Sequence, residues 1–174
     1  YHAEIMNHLS NSAHYMRLQC DPLRDIQLKI HRLSTHTLES GYLSKNEYNF
    51  LNKTGPRVLV LYTLRMVHKS LEAPPWRPIL SGCGSVLEPI GQYIYMFIKY
   101  FVPIQETYRR DSAFMINLIE GLPFNPECQI LATFDIVSLY TNIPQDESVQ
   151  IIQSTLNSRD NPTTVPTDLL IDLL

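Results

Sequence analysis

The stretch that decides the fold is Ala132-Thr133-Phe134-Asp135-Ile136-Val137-Ser138-Leu139-Tyr140-Thr141-Asn142-Ile143-Pro144. Ile130 to Phe134 is a short apolar run with β-branched and aromatic members, the composition of a buried strand, and it delivers the carboxylate of Asp135 at its far end. Ser138, Thr141, Asn142 and Pro144 break strand character, so the strand is expected to stop near Asp135 and present it at a sheet edge or cleft mouth. A carboxylate so placed can hold a divalent cation through hard oxygen ligands, an arrangement that positions and neutralises phosphates. A core strand followed by a turn capped by Asp135 accounts for the same residues, so upstream segments have to decide.

With 174 residues the chain is long enough for one ordinary domain or parts of two, and a hydrophobic content of 44% permits a core. Lys and Arg number 14 against 17 Asp and Glu, a net charge of -3, which is not the basic excess of a nucleic-acid binder. The basic surface of a polymerase would then have to lie in parts outside this stretch. Cys20, Cys83 and Cys128 are far apart and odd in number, which argues against a disulfide framework or zinc knuckle and fits a reducing compartment. The most apolar run, Tyr93 to Ile104, is interrupted by Lys99 and falls short of the ~20 residues that span a bilayer, so it reads as a core helix. Neither end has the pattern of a natural terminus, and a fragment of a longer reading frame is expected.

Along the chain, Asp21 and Pro22 open an amphipathic helix with Leu23, Ile26, Ile30, Leu33, Thr37 and Leu38 on one face, ending near Gly41. Ser44-Lys45-Asn46-Glu47 is a capping-box pattern for a second, short helix that packs Tyr48 and Leu51. Val58 to Thr63 and Trp76 to Leu80 read as strands joined by a polar, proline-stiffened loop, a β-hairpin with a basic tip. Ser85 caps a helix through Ile90, Tyr93, Phe97 and Phe101, whose aromatic stripe, with Tyr95 and Tyr100, is expected to be core rather than a base-stacking surface. Asp111 or Ser112 opens another, and Arg109 and Arg110 just before it are either template-phosphate contacts or an exposed pair. Asp146 and Glu147 sit in the first turn of a helix through Val149, Ile152 and Leu156, and Thr167 starts the last.

These segments together resemble the reverse transcriptases of Penelope-like retroelements, a telomerase-related family. Asp135-x-x-Ser138-Leu139-Tyr140-Thr141-Asn142-Ile143-Pro144 resembles their motif A, in which an aromatic follows the metal-binding Asp by five positions. Their fingers hairpin reads Tyr-x-Leu-Pro-Lys-Ile-His-Lys, then Asn-Pro-Pro-Gly-Arg-Pro-Ile-Val-Ser-Gly. Here the wording is Tyr62-Thr63-Leu64-Arg65-Met66-Val67-His68-Lys69, then Ala73-Pro74-Pro75-Trp76-Arg77-Pro78-Ile79-Leu80-Ser81-Gly82. Ser81-Gly82-Cys83-Gly84-Ser85 is similar to their Ser-Gly-x-Gly-Ser turn, and Tyr108-Arg109-Arg110-Asp111-Ser112 to their Tyr-x-Lys-Asp-Thr. Arg65 and Met66 replace a Pro and a Lys, and Trp76 replaces a Gly that leaves room for close backbone approach.

The resemblance implies an α+β chain: a right-hand polymerase fragment, helix-rich, with a fingers β-hairpin and the first catalytic palm strand. Residues 1–56 would be a helical lead-in, 57–128 the fingers and 129–174 the start of the palm. It also implies an RNA-directed DNA polymerase of a retrotransposon, using an RNA template, a DNA primer and deoxynucleoside triphosphates, with two Mg²⁺ ions in the complete enzyme. Asp135 would ligate both ions, helped by the backbone carbonyl of Ile136. Arg77 and Lys69 would neutralise the triphosphate, and Tyr140 would pack under the sugar. The family's paired Asp residues would lie on a later strand, beyond Leu174, so the stretch alone would be inactive. The setting would be intracellular and nuclear, away from any membrane. The alternative is a catalytically dead relic, or one repurposed to bind nucleic acid or protein, which the substitutions at Arg65, Met66 and Trp76 favour. A palm cut after its first strand exposes one sheet face, so the isolated chain is expected to be marginal or aggregation-prone; a sharp, cooperative thermal melt would contradict this.

Overall fold

The computed structural model of the chain describes residues 2–123, 125, 127, 129–130, 132–159 and 165–174, with side chains from Ile5 onward. Phe124, Pro126, Cys128 and Leu131 lie outside the described residues, as do residues 160–164, where the sequence is expected to form a loop. The elements are α1 (His2–Leu9), α2 (Leu23–Glu39), α3 (Lys45–Leu51), β1 (Val60–Arg65), β2 (Trp76–Ser81), α4 (Leu87–Ile98), α5 (Ser112–Glu120), α6 (Leu139–Asn142), α7 (Gln145–Asn157) and α8 (Thr167–Asp172). The chain is thus α+β and helix-rich, with a two-stranded antiparallel sheet among the described residues. It forms two compact units, Tyr1–Ile94 with Pro162–Leu174, and Tyr95–Asn161.

Local signals set the helix ends of the first unit. The Asp21 carboxylate accepts from the Leu23 amide at 3.0 Å, and Pro22 holds the N-cap position of α2 with φ -79°, close to the value its ring imposes. The far end of α2 closes as a Schellman motif: Gly41 N donates to Leu38 O at 3.0 Å and Tyr42 N to Thr37 O at 3.0 Å. That closure needs Gly41 at φ +77°, a region that costs a side chain strain. Two residues on, Ser44 and Glu47 complete a reciprocal capping box, Glu47 N to Ser44 Oγ at 3.3 Å and Ser44 N to Glu47 Oε2 at 2.7 Å.

These ends aim the apolar faces at a common core. Ile30 of α2, Leu51 of α3, Val86, Ile90, Tyr93 and Ile94 at or on α4, and Leu169 and Leu170 of α8 are buried, with Leu43 and Val165 at the connections. Each fully buried aliphatic side chain contributes on the order of 1.5–3 kcal/mol. The hydroxyl of Tyr93 reaches the Glu47 carboxylate at 3.5 Å. Burial, and then the neighbouring Glu47 charge, push its pKa far above the usual tyrosine value. Ser34 and Thr37 are buried on the same face of α2 and satisfy their hydroxyls on the helix itself, Ser34 to His31 O and Thr37 to Leu33 O.

The aromatic stripe expected as core divides. Tyr93 is buried, while Tyr95 and Tyr100 are exposed, and α4 stops at Ile98 rather than Phe101. In the second unit α5, α6 and α7 form where Asp111, the Ser138–Asn142 turn and the acidic residues Asp146 and Glu147 place them. The strand expected over Ile130 to Phe134 does not form among the described residues: 132–136 is irregular backbone, and Ile130 and Phe134 are 93% and 96% exposed. The physical reason is that a strand is stabilised by a hydrogen-bonded neighbour, and among the described residues the ladder joins β1 to β2 and leaves this run without one.

Replacing Ser44 by Ala removes the side-chain half of the box, the bond from Glu47 N to Ser44 Oγ, keeps the backbone bond from Ser44 N to Glu47 Oε2, and should cost α3 about 1 kcal/mol. We expect the Tyr48 and Leu51 amides to exchange with solvent roughly fivefold faster in Ser44→Ala, measured by hydrogen–deuterium exchange.

Candidate functional site

The hairpin is built by its register. Val60 faces Ser81, Leu61 faces Leu80, Tyr62 faces Ile79, Thr63 faces Pro78, Leu64 faces Arg77 and Arg65 faces Trp76. At the loop end Met66 N donates to Pro75 O at 2.9 Å, which makes that pair hydrogen-bonded. Pairs alternate in an antiparallel ladder, so Arg65–Trp76 and Thr63–Pro78 are non-hydrogen-bonded pairs, where side chains stand closest. Pro78 therefore costs the ladder no bond, because its nitrogen faces away from β1.

Opposed residues share a face, and the two faces differ. One carries Tyr62, Leu64, Ile79 and Arg77, the other Leu61, Thr63, Pro78, Arg65 and Trp76. Arg77 is exposed, and the ion pairs among the described residues, Lys53–Glu88 and Arg110–Asp111, leave it unneutralised. Lys69 lies exposed in the connecting loop, its amide bonded to Met66 O at 3.0 Å. The hairpin thus brings Arg77 and Lys69 onto one ribbon.

Trp76 takes extended backbone. Ser138 is the non-glycine residue with positive φ among the described residues, so the glycine freedom expected at position 76 is not required by this chain. The indole stands on the face opposite Arg77, where the Arg65 guanidinium carbon lies 4.8 Å from its ring centroid. Two of the departures from the family wording are therefore cross-strand partners. Reading the sequence linearly missed this pair, because they are eleven positions apart and only the register joins them. At the base of the hairpin Arg57 N donates to Gly84 O at 2.8 Å. Gly84 has φ +76°, a conformation that strains any other residue, and a Cβ there would stand 3.2 Å from Arg57 Cδ, close enough to make the arginine stem shift.

In the second unit Asp135 and Ile136 sit on the exposed irregular arm and Tyr140 on α6. Ser138 adopts φ 50°, ψ 49° and reverses the chain. Thr141 N and Oγ1 both bond Ser138 O at 3.0 Å, and Asn142 Nδ2 donates to Val137 O at 2.7 Å. The Ser-Leu-Tyr-Thr-Asn wording is thus the sequence of a self-closed turn. Tyr140 is 92% exposed, so its ring is offered to whatever approaches. Among the described residues no group of three His, Cys, Asp or Glu stands close enough to hold a metal.

Arg109 and Arg110 are exposed but occupied. Arg109 Nη1 donates to the carbonyls of Glu106 at 2.8 Å and Tyr108 at 2.7 Å, and Arg110 Nε to Asp111 Oδ2 at 2.8 Å. Separately, an open cleft of about 400 Å³ in the first unit is lined by Arg24, His31, Leu51, Asn52, Lys53 and Val86 among others. Lys53 there pairs with Glu88 at 3.1 Å, which together with the Gly84 amide holds the Glu88 carboxyl below the usual range. None of the residues expected to bind nucleotide lines it. No helix among the described residues is long and apolar enough to cross a membrane. No family model, curated protein or solved structure matches the chain.

Asp111 caps α5 through Oδ1, which accepts from Phe114 N at 2.7 Å. That bond first, and then Arg110, hold its pKa below the usual aspartate value. A folded-state pKa lowered in this way contributes stability above the unfolded value, about 3.9, and loses it as pH falls through the folded value. The Phe114 amide resonance should therefore titrate with a midpoint below about pH 3.9. In Asp111→Asn, which caps without ionising, it should stay flat.

Proposed function

We propose that the chain is the fingers and early palm of an RNA-directed DNA polymerase, the reverse transcriptase of a Penelope-like retroelement. Its substrates would be an RNA template, a DNA primer and deoxynucleoside triphosphates. The observation that carries the reading is the hairpin. Its strands fall on the two segments worded like the family's fingers, and Arg77 stands on β2 exposed and with no ion-pair partner among the described residues.

In this reading each residue acts through its ordinary chemistry. The planar guanidinium of Arg77 takes two phosphate oxygens at once, which fixes their orientation as well as their charge. Lys69 adds a mobile point charge from the loop. Tyr140 offers a flat surface under the sugar. The Asp135 carboxylate and the Ile136 carbonyl are hard oxygen donors of the kind Mg²⁺ takes, two of its roughly six ligands. When bound, paired Mg²⁺ ions supply charge stabilisation at the attacking and leaving oxygens of an in-line displacement. Remaining carboxylates would come from the paired Asp of the family's later strand.

A second reading, a relic or repurposed binding segment, is favoured by the Arg65–Trp76 pair, since two departures from the family have joined into one contact. Primer extension on an RNA template, with protein expressed from the complete reading frame, separates the two. We expect Mg²⁺-dependent extension that falls about a thousandfold or more in Asp135→Ala. In Arg77→Ala we expect kcat/KM for the nucleotide to fall roughly a hundredfold, through loss of two charge-assisted hydrogen bonds. No extension by soluble, folded wild-type protein leaves the binding reading.

A further inference from the structure

We propose that the hairpin face bearing Arg65 and Trp76 is a stacking platform for an unpaired base of single-stranded nucleic acid. The proposal goes beyond the polymerase reading, since it requires neither a metal nor catalysis, and both residues depart from the family's wording. The Arg65 guanidinium lies over the Trp76 ring at 4.8 Å, in a non-hydrogen-bonded pair that holds the two side chains together. The guanidinium is thus seated against the indole, while Arg65 remains exposed to solvent. An exposed guanidinium backed by an indole can accept a base by stacking, and the charge of Arg adds a cation–π term.

Charge selects the partner. The hairpin and its flanks carry Arg57, Arg65, Lys69 and Arg77 against the single carboxylate of Glu72, within a chain of net charge -3. None of these four cations forms an ion pair among the described residues. An anionic strand is therefore attracted to this ribbon and repelled by the acidic remainder. A stack with cations beside it binds with little dependence on sequence.

The test uses the chain of these 174 residues, in which Trp76 is the only tryptophan and so reports from the platform itself. Titration with short oligouridylate and oligothymidylate is expected to quench its fluorescence saturably, with affinity falling as salt rises. Binding of the RNA alone, the DNA alone or both assigns the platform to that class of strand and supports the proposal. Labelled-oligonucleotide anisotropy on Arg65→Ala should show about tenfold weaker binding. Arg65→Lys, which keeps the charge and loses the plane, should weaken it nearly as much. Native affinity in Arg65→Lys, or equal quenching by tripolyphosphate or polyglutamate, would reduce the effect to charge and overturn the platform. Absence of quenching in the wild-type chain, shown folded by circular dichroism, would overturn it as well. A complete enzyme that extends primers normally while Arg65→Ala binds as tightly as wild type keeps the polymerase reading and loses this one.

Discussion

A two-stranded ladder has no third strand to correct its alignment, so the hairpin depends on a single register, in which Arg65 meets Trp76 and Leu64 meets Arg77. A slip of one residue would send every side chain of one strand to the opposite face. Arg77 would then share a surface with Leu61, Thr63 and Arg65, which now stand on the opposite face, and the guanidinium of Arg65 would lose its ring. The cation–π contact, worth about 0.5–1 kcal/mol where exposed, is small beside a core. Its position at the loop end of the ladder makes it a marker of the correct alignment.

What the sequence revealed follows the range of the physics. Helix ends were legible because the groups that make them lie within a few residues: Asp21 with Leu23, Ser44 with Glu47, Asp111 with Phe114. The amphipathic face of α2 was legible from spacing, since Ile30 and Thr37 point where periodicity puts them. The hairpin was legible from two β-rich runs and the prolines between them. The run from Ile130 to Phe134 was misread because strand composition states only a preference. Its realisation depends on a partner elsewhere, and among the described residues none pairs with it. The same limit hid Arg65 and Trp76, whose meeting is a property of the register and of neither residue.

Basic residues near one another in sequence also prove to be of two kinds. Arg109 and Arg110 spend their donors on nearby carbonyls and on Asp111, and so shape the entry to α5. Arg77 and Lys69 have no ion-pair partner among the described residues. Charge counting treats the four alike. Geometry assigns two to the architecture of a turn and leaves two with their hydration shells to exchange for a ligand's oxygens. The cost of making that exchange is lower for Arg, whose guanidinium is the more weakly hydrated.

Pro78 carries the remaining consequence. Its nitrogen, facing outward from the ladder, has no hydrogen to give, so the outer edge of β2 lacks a donor at its middle. A further strand arriving on that side would find a gap where its carbonyl needs a partner. The ribbon is thereby kept narrow. A narrow ribbon twists more strongly than a broad sheet. A proline in mid-strand thus sets a geometric property, the width and with it the twist of the ribbon.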